Sequence, residues 1–231
     1  MLSELYFQKS EYQEAQAILK IALCVYKEIE DKHGEALCCM NLGNVFQSVG
    51  KYAKAEEYLH KALTINTEIG DKDVEASCYG NLGIMFKSVG EYAKAKEYLH
   101  KALNMNTEIG DKHRQASSYI NLGNVFKCVG EYAKAEEYLH KALTIKTKIG
   151  DKQGEASCHI NLGTIFQAVG ENAKAEEYLH KALNINTEIG NKNGEASCYI
   201  NLGNVFESVG EYAKAEEYLY KALTILSLIH I

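Results

Sequence analysis

Three residue types with reactive or polar side chains recur at a spacing of 40 residues or its multiples: histidine, cysteine and asparagine. The recurring positions are His60, His100, His140 and His180; Cys38, Cys78, Cys158 and Cys198; and Asn41, Asn81, Asn121, Asn161 and Asn201. Imidazole and thiolate groups bind zinc, a thiolate can act as a nucleophile, and an amide both donates and accepts hydrogen bonds. Which chemistry is possible depends on how the elements that carry these residues pack together.

The whole chain repeats with the same period. Residues 51–70 (KYAKAEEYLHKALTINTEIG) and 91–110 (EYAKAKEYLHKALNMNTEIG) agree at 16 of 20 positions, and the preceding half recurs around residues 36, 76, 116, 156 and 196. Repeat architectures bury a continuous core by stacking one unit on the next. We therefore predict a single solenoid over residues 1–225, with units at about 1–30, 31–70, 71–110, 111–150, 151–190 and 191–225.

The two ends of the chain differ from the repeat. Leu2 aligns with Leu42, so the first unit is predicted to begin partway through its first helix. After residue 225 the expected NTEIGDK is replaced by LSLIHI. This hexapeptide resembles a translated sequencing adapter. Residues 226–231 are therefore interpreted as a non-native tail on a fragment of a longer array.

Each complete unit is predicted to form two α-helices. Apolar residues follow three- and four-residue steps in both halves of the unit, as in Leu42 and Phe46. Of the 18 glycines, 14 fall on three registers, and those equivalent to Gly50 and Gly70 are expected to end helices in the left-handed conformation. The residues expected to cap the helices that follow are Asp71, Asp111, Asp151 and Asn191.

Two further features of the repeat predict how the paired helices meet. Gly43 and its equivalents lie in mid-helix, where glycine costs up to about 1 kcal/mol relative to alanine. Its presence there indicates close packing, with Ala55 and Ala62 as the expected small counterparts. Glu57 and Lys61 are spaced i to i+4 in the favourable order, which indicates a solvated face.

Composition narrows the class of protein. The chain has 231 residues, 46% apolar and 24% charged, with no proline, no tryptophan and a net charge of −6. These values are typical of an ordered globular chain and disfavour nucleic acid or an anionic membrane as partner. No apolar run approaches the roughly 20 residues of a membrane span. Seven cysteines without a CxxC motif indicate reduced thiols and a cytoplasmic location.

The repeat resembles the tetratricopeptide repeat, a family of interaction modules. The residues that carry the resemblance are Leu42, Gly43, Phe46, Gly50, Tyr52, Ala55, Leu59 and Ala62, and the pattern recurs in five near-complete copies. The chain departs from the usual 34-residue repeat in its longer period, its lack of a closing proline, and the residues three positions before Leu-Gly. The longer period is similar to that of the Pins and G-protein-signalling-modulator adaptors and of large invertebrate tetratricopeptide proteins. The resemblance implies an all-α fold of helix-turn-helix repeats stacked in a right-handed superhelical solenoid.

The resemblance also implies a binding surface. Tetratricopeptide arrays bind extended peptides along a concave groove lined by the first helix of each pair. Two rows of this chain match the groove positions beside Leu-Gly: Asn41, Asn81, Asn121, Asn161 and Asn201, and three residues later Asn44, Ile84, Asn124, Thr164 and Asn204. Such an amide ladder could hydrogen-bond the main chain of an extended ligand. The alternative is that these asparagines bridge neighbouring helices or hold water.

The charges one turn further along the groove vary between units. The residues are Gln47, Lys87, Lys127, Gln167 and Glu207. An acidic or phosphorylated ligand segment is therefore expected to prefer the Lys87 to Lys127 region. The basic residues of the family's two-carboxylate clamp are missing, because the matching positions hold Leu37, Ser77, Ser117, Met40, Gly80 and Ile120. Chaperone tails are therefore disfavoured as ligands.

Catalysis and metal binding are not expected. The histidines belong to different stacked units, and packed helices stand about 8 to 10 Å apart, whereas zinc ligands lie about 2 Å from the metal. The recurring cysteines are interpreted as small packing residues. The sequence contains no phosphate-binding loop, paired acids or serine elbow. The predictions are therefore no enzyme activity, no cofactor and no metal.

Three classes of function are compared. The first is a non-catalytic adaptor that binds an extended segment of a partner protein. The second is a structural spacer or an array that self-associates end to end, because the chain closes with apolar Leu226, Leu228, Ile229 and Ile231. The third is RNA reading, as in pentatricopeptide repeats, which the acidic charge and near-identical amides disfavour. The adaptor is the function that the sequence favours.

Overall fold

The computed structural model describes the backbone of residues 2–229 and the side chains of residues 11–228, and it is entirely α-helical and turn over that range. The helices are α1 (Leu2–Glu28), α2 (Lys32–Ser48), α3 (Tyr52–Ile69), α4 (Lys72–Ser88), α5 (Tyr92–Ile109), α6 (Lys112–Cys128), α7 (Tyr132–Lys148), α8 (Lys152–Ala168), α9 (Asn172–Glu188), α10 (Lys192–Ser208) and α11 (Tyr212–Ile229). The chain forms two compact units: unit 1, residues 1–111, and unit 2, residues 112–231. None of the described helices is long and apolar enough to cross a membrane.

The helices pack as antiparallel pairs in series. In unit 1, α2 pairs with α3 and α4 with α5, and α1 packs against α2. In unit 2 the pairs are α6 with α7, α8 with α9, and α10 with α11. Successive pairs meet through the second helix of one and the first helix of the next, as in α3 with α4 and α9 with α10. The prediction of two helices in each complete repeat is confirmed.

Glycine ends the helices where the sequence predicts it. Gly50 has a φ of +71° and Gly70 a φ of +75°, in the left-handed region that favours glycine. The chain reversal after α2 closes with the Lys51 N–H donating to the Phe46 carbonyl at 2.8 Å. This bond satisfies one of the carbonyl groups that a helix end leaves without a partner.

Side-chain caps begin the next helices. The Asp71 carboxylate accepts from the Val74 N–H at 3.1 Å, and the Asp151 carboxylate accepts from the Gly154 N–H at 2.8 Å. The Asn191 side-chain oxygen accepts from the Gly194 N–H at 3.0 Å. These three caps confirm the prediction for their positions, and each satisfies an N–H group in the first turn of the new helix.

The helix at the start of the chain differs from the prediction for residues 1–30. The sequence predicted the end of a first helix and then a second helix, whereas α1 runs without a break over Leu2–Glu28. Ser10 stands where the later repeats have Gly50, and a left-handed break costs an ordinary L-residue about 1–2 kcal/mol. At the other end, Ser227 and Leu228 of the expected tail lie within α11, and residues 230–231 lie outside the described part of the chain.

In the core of each helix pair, the second helix packs closely against a glycine of the first helix. Leu42, Phe46 and Leu59 are at most 1% exposed. A Cβ atom placed on Gly43 would lie 2.6 Å from the Leu59 Cγ and 3.3 Å from the Ala55 carbonyl oxygen. The predicted close approach is therefore confirmed, with the Leu59 side chain and the backbone of the predicted counterpart Ala55 as the nearest contacts.

The outer surface is charged. The Lys61 ammonium donates to the Glu57 carboxylate at 2.6 Å, and both side chains are more than half exposed. The same i, i+4 pair recurs on the second helix of each later repeat, that is, on α5, α7, α9 and α11. Exposed pairs of this kind contribute little to stability and keep the face solvated, as the spacing predicted.

Candidate functional site

The first helices of the repeats line the inner side of each unit. In unit 1, α2 contacts α4, and in unit 2, α6 contacts α8 and α8 contacts α10. Among the residues that the structure describes, the corresponding second helices stand further apart and meet through side chains, as His60 and Tyr98 do. A curved stack brings its elements closest on the inside of the curve. The exposed faces of the first helices are therefore the concave side of each unit.

In unit 1, the predicted groove residues lie on this concave side. Asn41 and Asn44 belong to α2, and Asn81 and Lys87 belong to α4. Asn41 is exposed and the other three are half-buried. The opposite face of α2 carries the buried residues of the helix pair. The structure thus places these side chains next to solvent and away from the core.

In unit 2, the predicted residues form a longer row on three successive first helices. Asn121, Asn124 and Lys127 lie on α6, Asn161 on α8, and Asn201 and Asn204 on α10. Asn204 is exposed, and the other five are half-buried. Half-buried amides combine a fixed orientation with access for a ligand.

Contacts within unit 2 show how neighbouring repeats meet at this row. The Lys127 ammonium donates to the Thr164 hydroxyl at 3.2 Å, and the Thr164 hydroxyl donates to the Asn161 carbonyl at 2.8 Å. The amide of Asn201 donates to the Ser197 carbonyl of its own helix at 2.8 Å. The members of the row are therefore not equivalent, since Asn201 already uses one of its two amide N–H groups within its own helix.

Charge varies along the concave side within each unit. In unit 1, neutral Gln47 on α2 is followed by Lys87 on α4. In unit 2, Lys127 on α6 and Glu207 on α10 are separated by neutral Gln167 on α8. Unit 2 therefore presents a cation at one end of its row and an anion at the other.

The histidine row packs between repeats. The rings of His60 and Tyr98 lie 6.0 Å apart at an angle of 67°, and His140 and Tyr178 make the same edgewise contact. In both pairs the histidine contacts the tyrosine of the following second helix. No group of three described histidine, cysteine or acidic side chains is arranged to hold a metal ion.

The cysteines are packing residues. Cys38, Cys78, Cys158 and Cys198 are buried, and all seven cysteines are free thiols. Burial raises the pKa of Cys78 and of Cys158 to about 12. A thiol with such a pKa has almost no thiolate at neutral pH, so neither residue is an activated nucleophile.

A row of buried polar residues escaped the sequence analysis. Asn66, Lys146 and Asn186 occupy one register of the second helices and are at most 3% exposed. They continue the i, i+4, i+7 face of Ala55, Leu59 and Ala62 by one more turn. That continuation was visible in the sequence, and it is the signal that could have found them.

The most polar member of that row is Lys146. Its ammonium donates to the Asp151 carboxylate at 2.7 Å and lies 3.3 Å from the His113 Nε2. The hydrogen bond from Lys146 lowers the pKa of Asp151, and the bond from the Gly154 N–H acts in the same direction. The cluster ties the end of α7 to the start of α8, which indicates a structural role.

Comparison with known proteins places this geometry in a family. The family model of the tetratricopeptide repeat matches residues 1–63, 35–108, 87–148, 114–183 and 155–227. A search of curated protein sequences gives no match. The fold is similar to that of several solved structures.

Three of these structures show the extent of the similarity. BtubC of P. vanneervenii has a TM-score of 0.80 and 23% identity over 95% of this chain and 92% of that chain. A putative kinesin light chain of Podosopora anserina, with nearly identical repeats, has a TM-score of 0.66 and 17% identity over 87% of this chain and 96% of that chain. A Rap protein solved in complex with competence and sporulation factor has a TM-score of 0.75 and 17% identity over 98% and 73%.

These similarities confirm the all-α fold class with helix-turn-helix repeats that the sequence predicted. The family model covers nearly the whole chain, and the Leu-Gly, aromatic and alanine positions occupy the core that the family pattern implies. The chain belongs to the tetratricopeptide repeat family.

Proposed function

We propose that the chain is a non-catalytic interaction module that binds an extended segment of a partner protein along the concave side. The observation that carries the proposal is the row of solvent-accessible amides at one position of the first helix in every complete repeat, exposed at Asn41 and half-buried in the others. These amides lie beside the buried Leu-Gly positions and not among them, so core packing does not require a polar residue in this place. Helical repeat proteins use such extended concave surfaces for binding.

The chemistry of the row suits a peptide main chain. Each asparagine amide supplies a donor and an acceptor, and a peptide in an extended conformation presents both at regular intervals. A ligand read in this way is recognised through its backbone, with limited dependence on its side chains. The free, buried thiols support a reducing location, which we take to be the cytoplasm.

The charges of unit 2 give the ligand a direction. Lys127 at one end favours an acidic or phosphorylated ligand residue, and Glu207 at the other end favours a basic one. In unit 1, Lys87 favours an acidic residue beside α4. The ligand class is therefore an extended peptide with an acidic part and, for unit 2, a basic residue about two repeats away.

The test uses a selected peptide, because the natural partner is not needed to measure the surface. A random peptide library is selected against the native chain, and the dissociation constant of the best peptide is measured by fluorescence anisotropy. Asn124→Ala with Asn161→Ala removes two amides of the concave row. We expect binding about thirtyfold weaker, since each of the two lost neutral hydrogen bonds contributes roughly 1 kcal/mol.

A matched control makes this result specific. Asn184→Ala with Asn193→Ala removes two exposed amides that lie outside the concave row. Both double variants are first compared with the native chain by circular dichroism. Equal dissociation constants for all three proteins, or the failure to select any peptide, would remove the concave row as the binding surface.

The second candidate is end-to-end self-association, which the exposed apolar faces of α1 and α11 support. Ile18, Ile21 and Val25 on α1 are 48–67% exposed, and Tyr220 and Leu223 on α11 are 63–71% exposed. A second copy that stacks on these faces would cover them as a further repeat does inside each unit. Growth of the mass in light scattering with concentration, abolished by Leu223→Glu, is the expected result. A monomer at all concentrations contradicts it.

A further inference from the structure

A cavity of about 560 Å³ lies between α1, α2 and α3 in unit 1. Leu23, Cys39 and Ile65 form its apolar wall, and each of these side chains is at most 9% exposed. The Tyr58 ring forms another wall. The cavity shares no lining residue with the amide row of the concave side.

The cavity exists because one repeat lacks an aromatic ring. Cys39 occupies the position three residues before Leu-Gly, where the other complete repeats have Tyr79, Tyr119, His159 and Tyr199. In those repeats the ring packs beside the tyrosine of the second helix. The centroid distance is 6.1 Å for Tyr79 and Tyr98. Cysteine is far smaller than tyrosine, so the equivalent space beside Tyr58 is left open.

The ring of Tyr58 shows the difference directly. Its one ring contact among the described side chains is with Phe46, at 5.4 Å. The equivalent Tyr98 contacts Phe86 at 5.3 Å and also the rings of Tyr79 and His60. Tyr58 therefore keeps a ring surface that the next repeat covers with aromatic partners.

The polar groups that surround a ring in the next repeat are also present at the cavity. The Lys101 ammonium lies 5.8 Å from the Tyr79 ring and 5.2 Å from the Tyr98 ring, and burial together with the nearby Glu75 carboxylate raises the pKa of Tyr79. At the cavity, the equivalent Lys61 ammonium lies 5.1 Å from the Tyr58 ring, and the equivalent carboxylate is Glu35. Both groups line the cavity.

We propose that this cavity binds a para-substituted phenol, with its ring beside Tyr58 and beneath Lys61 and its hydroxyl donating to Glu35. The apolar wall of Leu23, Cys39 and Ile65 suits an aromatic ring, and a cation above the ring strengthens the contact. The ring is either that of a free small molecule or the tyrosine side chain of a partner. The site is independent of the concave row, and its test does not depend on peptide binding there.

The first experiment titrates the native chain with p-cresol by calorimetry and ligand-detected NMR. We expect one site per chain. Cys39→Tyr supplies the missing ring from the chain itself, so it should weaken p-cresol binding at least tenfold and raise the melting temperature. Cys128→Tyr introduces the same side chain at an exposed cysteine and should change neither.

A gain-of-site variant makes the test stricter. Tyr79→Cys opens the equivalent space in the next repeat, between the Glu75 carboxylate and the Tyr98 ring. We expect the stoichiometry for p-cresol to rise from one to two. N-acetyl-tyrosinamide, compared with p-cresol, separates the two sources of the ring: similar affinity shows that the opening admits a peptide backbone, and loss of binding shows a site for small phenols.

Two results would overturn the proposal. One is the absence of p-cresol binding to the native chain, and the other is equal binding to the native chain and to Cys39→Tyr. Glu35→Gln supplies a second measurement should Cys39→Tyr not fold. It should weaken p-cresol binding several-fold and leave toluene binding unchanged, and equal effects on both ligands would contradict the assigned hydrogen bond.

Discussion

Lys146 and Asn186 occupy the same buried place in successive repeats of unit 2 and make the same link with different chemistry. The Lys146 ammonium donates to the Asp151 carboxylate at 2.7 Å. The Asn186 oxygen accepts from the Asn191 amide at 3.0 Å. Each partner lies five residues later and caps the next helix. An ion pair in one repeat and a neutral amide pair in the next thus connect equivalent helices.

The fold therefore accepts different residues at these two positions as long as they form a matched pair. A buried ammonium requires a carboxylate, whereas a buried amide oxygen requires a donor. Unit 1 contains the mixed combination of Asn66 with Asp71. There the Asn66 oxygen is buried without a hydrogen-bond partner, and its amide donates to the Ala62 carbonyl at 2.8 Å. The mixed pair is the least satisfied of the three.

Removal of one partner of the ion pair should lower the free energy of unfolding most. Asp151→Asn leaves the Lys146 ammonium buried, with a neutral amide in place of its carboxylate. The loss of a charged partner from a buried pair costs about 3 kcal/mol. We expect this loss in the free energy of unfolding, measured by urea denaturation followed by circular dichroism.

The matched double variant separates charge from shape. Lys146→Asn with Asp151→Asn reproduces the Asn186–Asn191 pair in the preceding repeat. It should recover most of the stability that Asp151→Asn removes, to within about 1 kcal/mol of the native chain, because both buried polar groups then have a partner. A double variant as unstable as Asp151→Asn would show that the two pairs are not interchangeable.

The ion pair also predicts a dependence on pH that the amide pair lacks. The pKa of Asp151 in the folded chain is lowered, first by the hydrogen bond from Lys146, with Gly154 and His113 acting in the same direction. Its contribution to stability is therefore fully present above the unfolded pKa of about 3.9 and is lost as the pH falls through the lower folded pKa.

The measurement compares stability at neutral pH and near pH 3. The native chain should lose more stability over this interval than the variant with both Lys146→Asn and Asp151→Asn. The other acidic groups are common to the two proteins, so their contributions cancel in the difference. Equal losses would show that the Asp151 pKa is unchanged by folding.

The repeat made most of the fold predictable from the sequence. Gly50 and Gly70 mark helix ends because a left-handed residue is needed there, and Asp71 and Asn191 mark starts because their side chains satisfy N–H groups of the next helix. These requirements are local, so they can be predicted from the residues of one short segment. The continuity of α1 was missed, although the absence of glycine at Ser10 was visible.

The features that escaped prediction depend on residues far apart in the chain. Cys39 was recognised as a departure from the aromatic position, but the cavity beside it is formed together with Leu23 and Ile65 on two other helices. Lys146 resembles a surface lysine in the sequence. Its register on the apolar face of α7 was a signal for burial, but the packing of α7 against α8 is needed to identify the Asp151 carboxylate as the partner of the buried ammonium. The amide row was located through family resemblance, and its ligand stays a prediction.

Repair of the mixed pair in unit 1 should change the free energy of unfolding least. Asp71→Asn places an amide donor beside the unpartnered Asn66 oxygen, as Asn191 does for Asn186, and keeps the helix cap because asparagine and aspartate cap equally well. The substitution also loses the contact between the Asp71 carboxylate and His33, which contributes little because the His33 side chain is 56% exposed. We expect stabilisation of about 1 kcal/mol near pH 8, measured as a higher urea midpoint. Asn191→Asp is the reverse change and should destabilise by a similar amount, because the Asn186 oxygen then loses its donor. If both substitutions shift the midpoint in the same direction, the charge of the cap and not the partner of the buried amide sets the stability of this link.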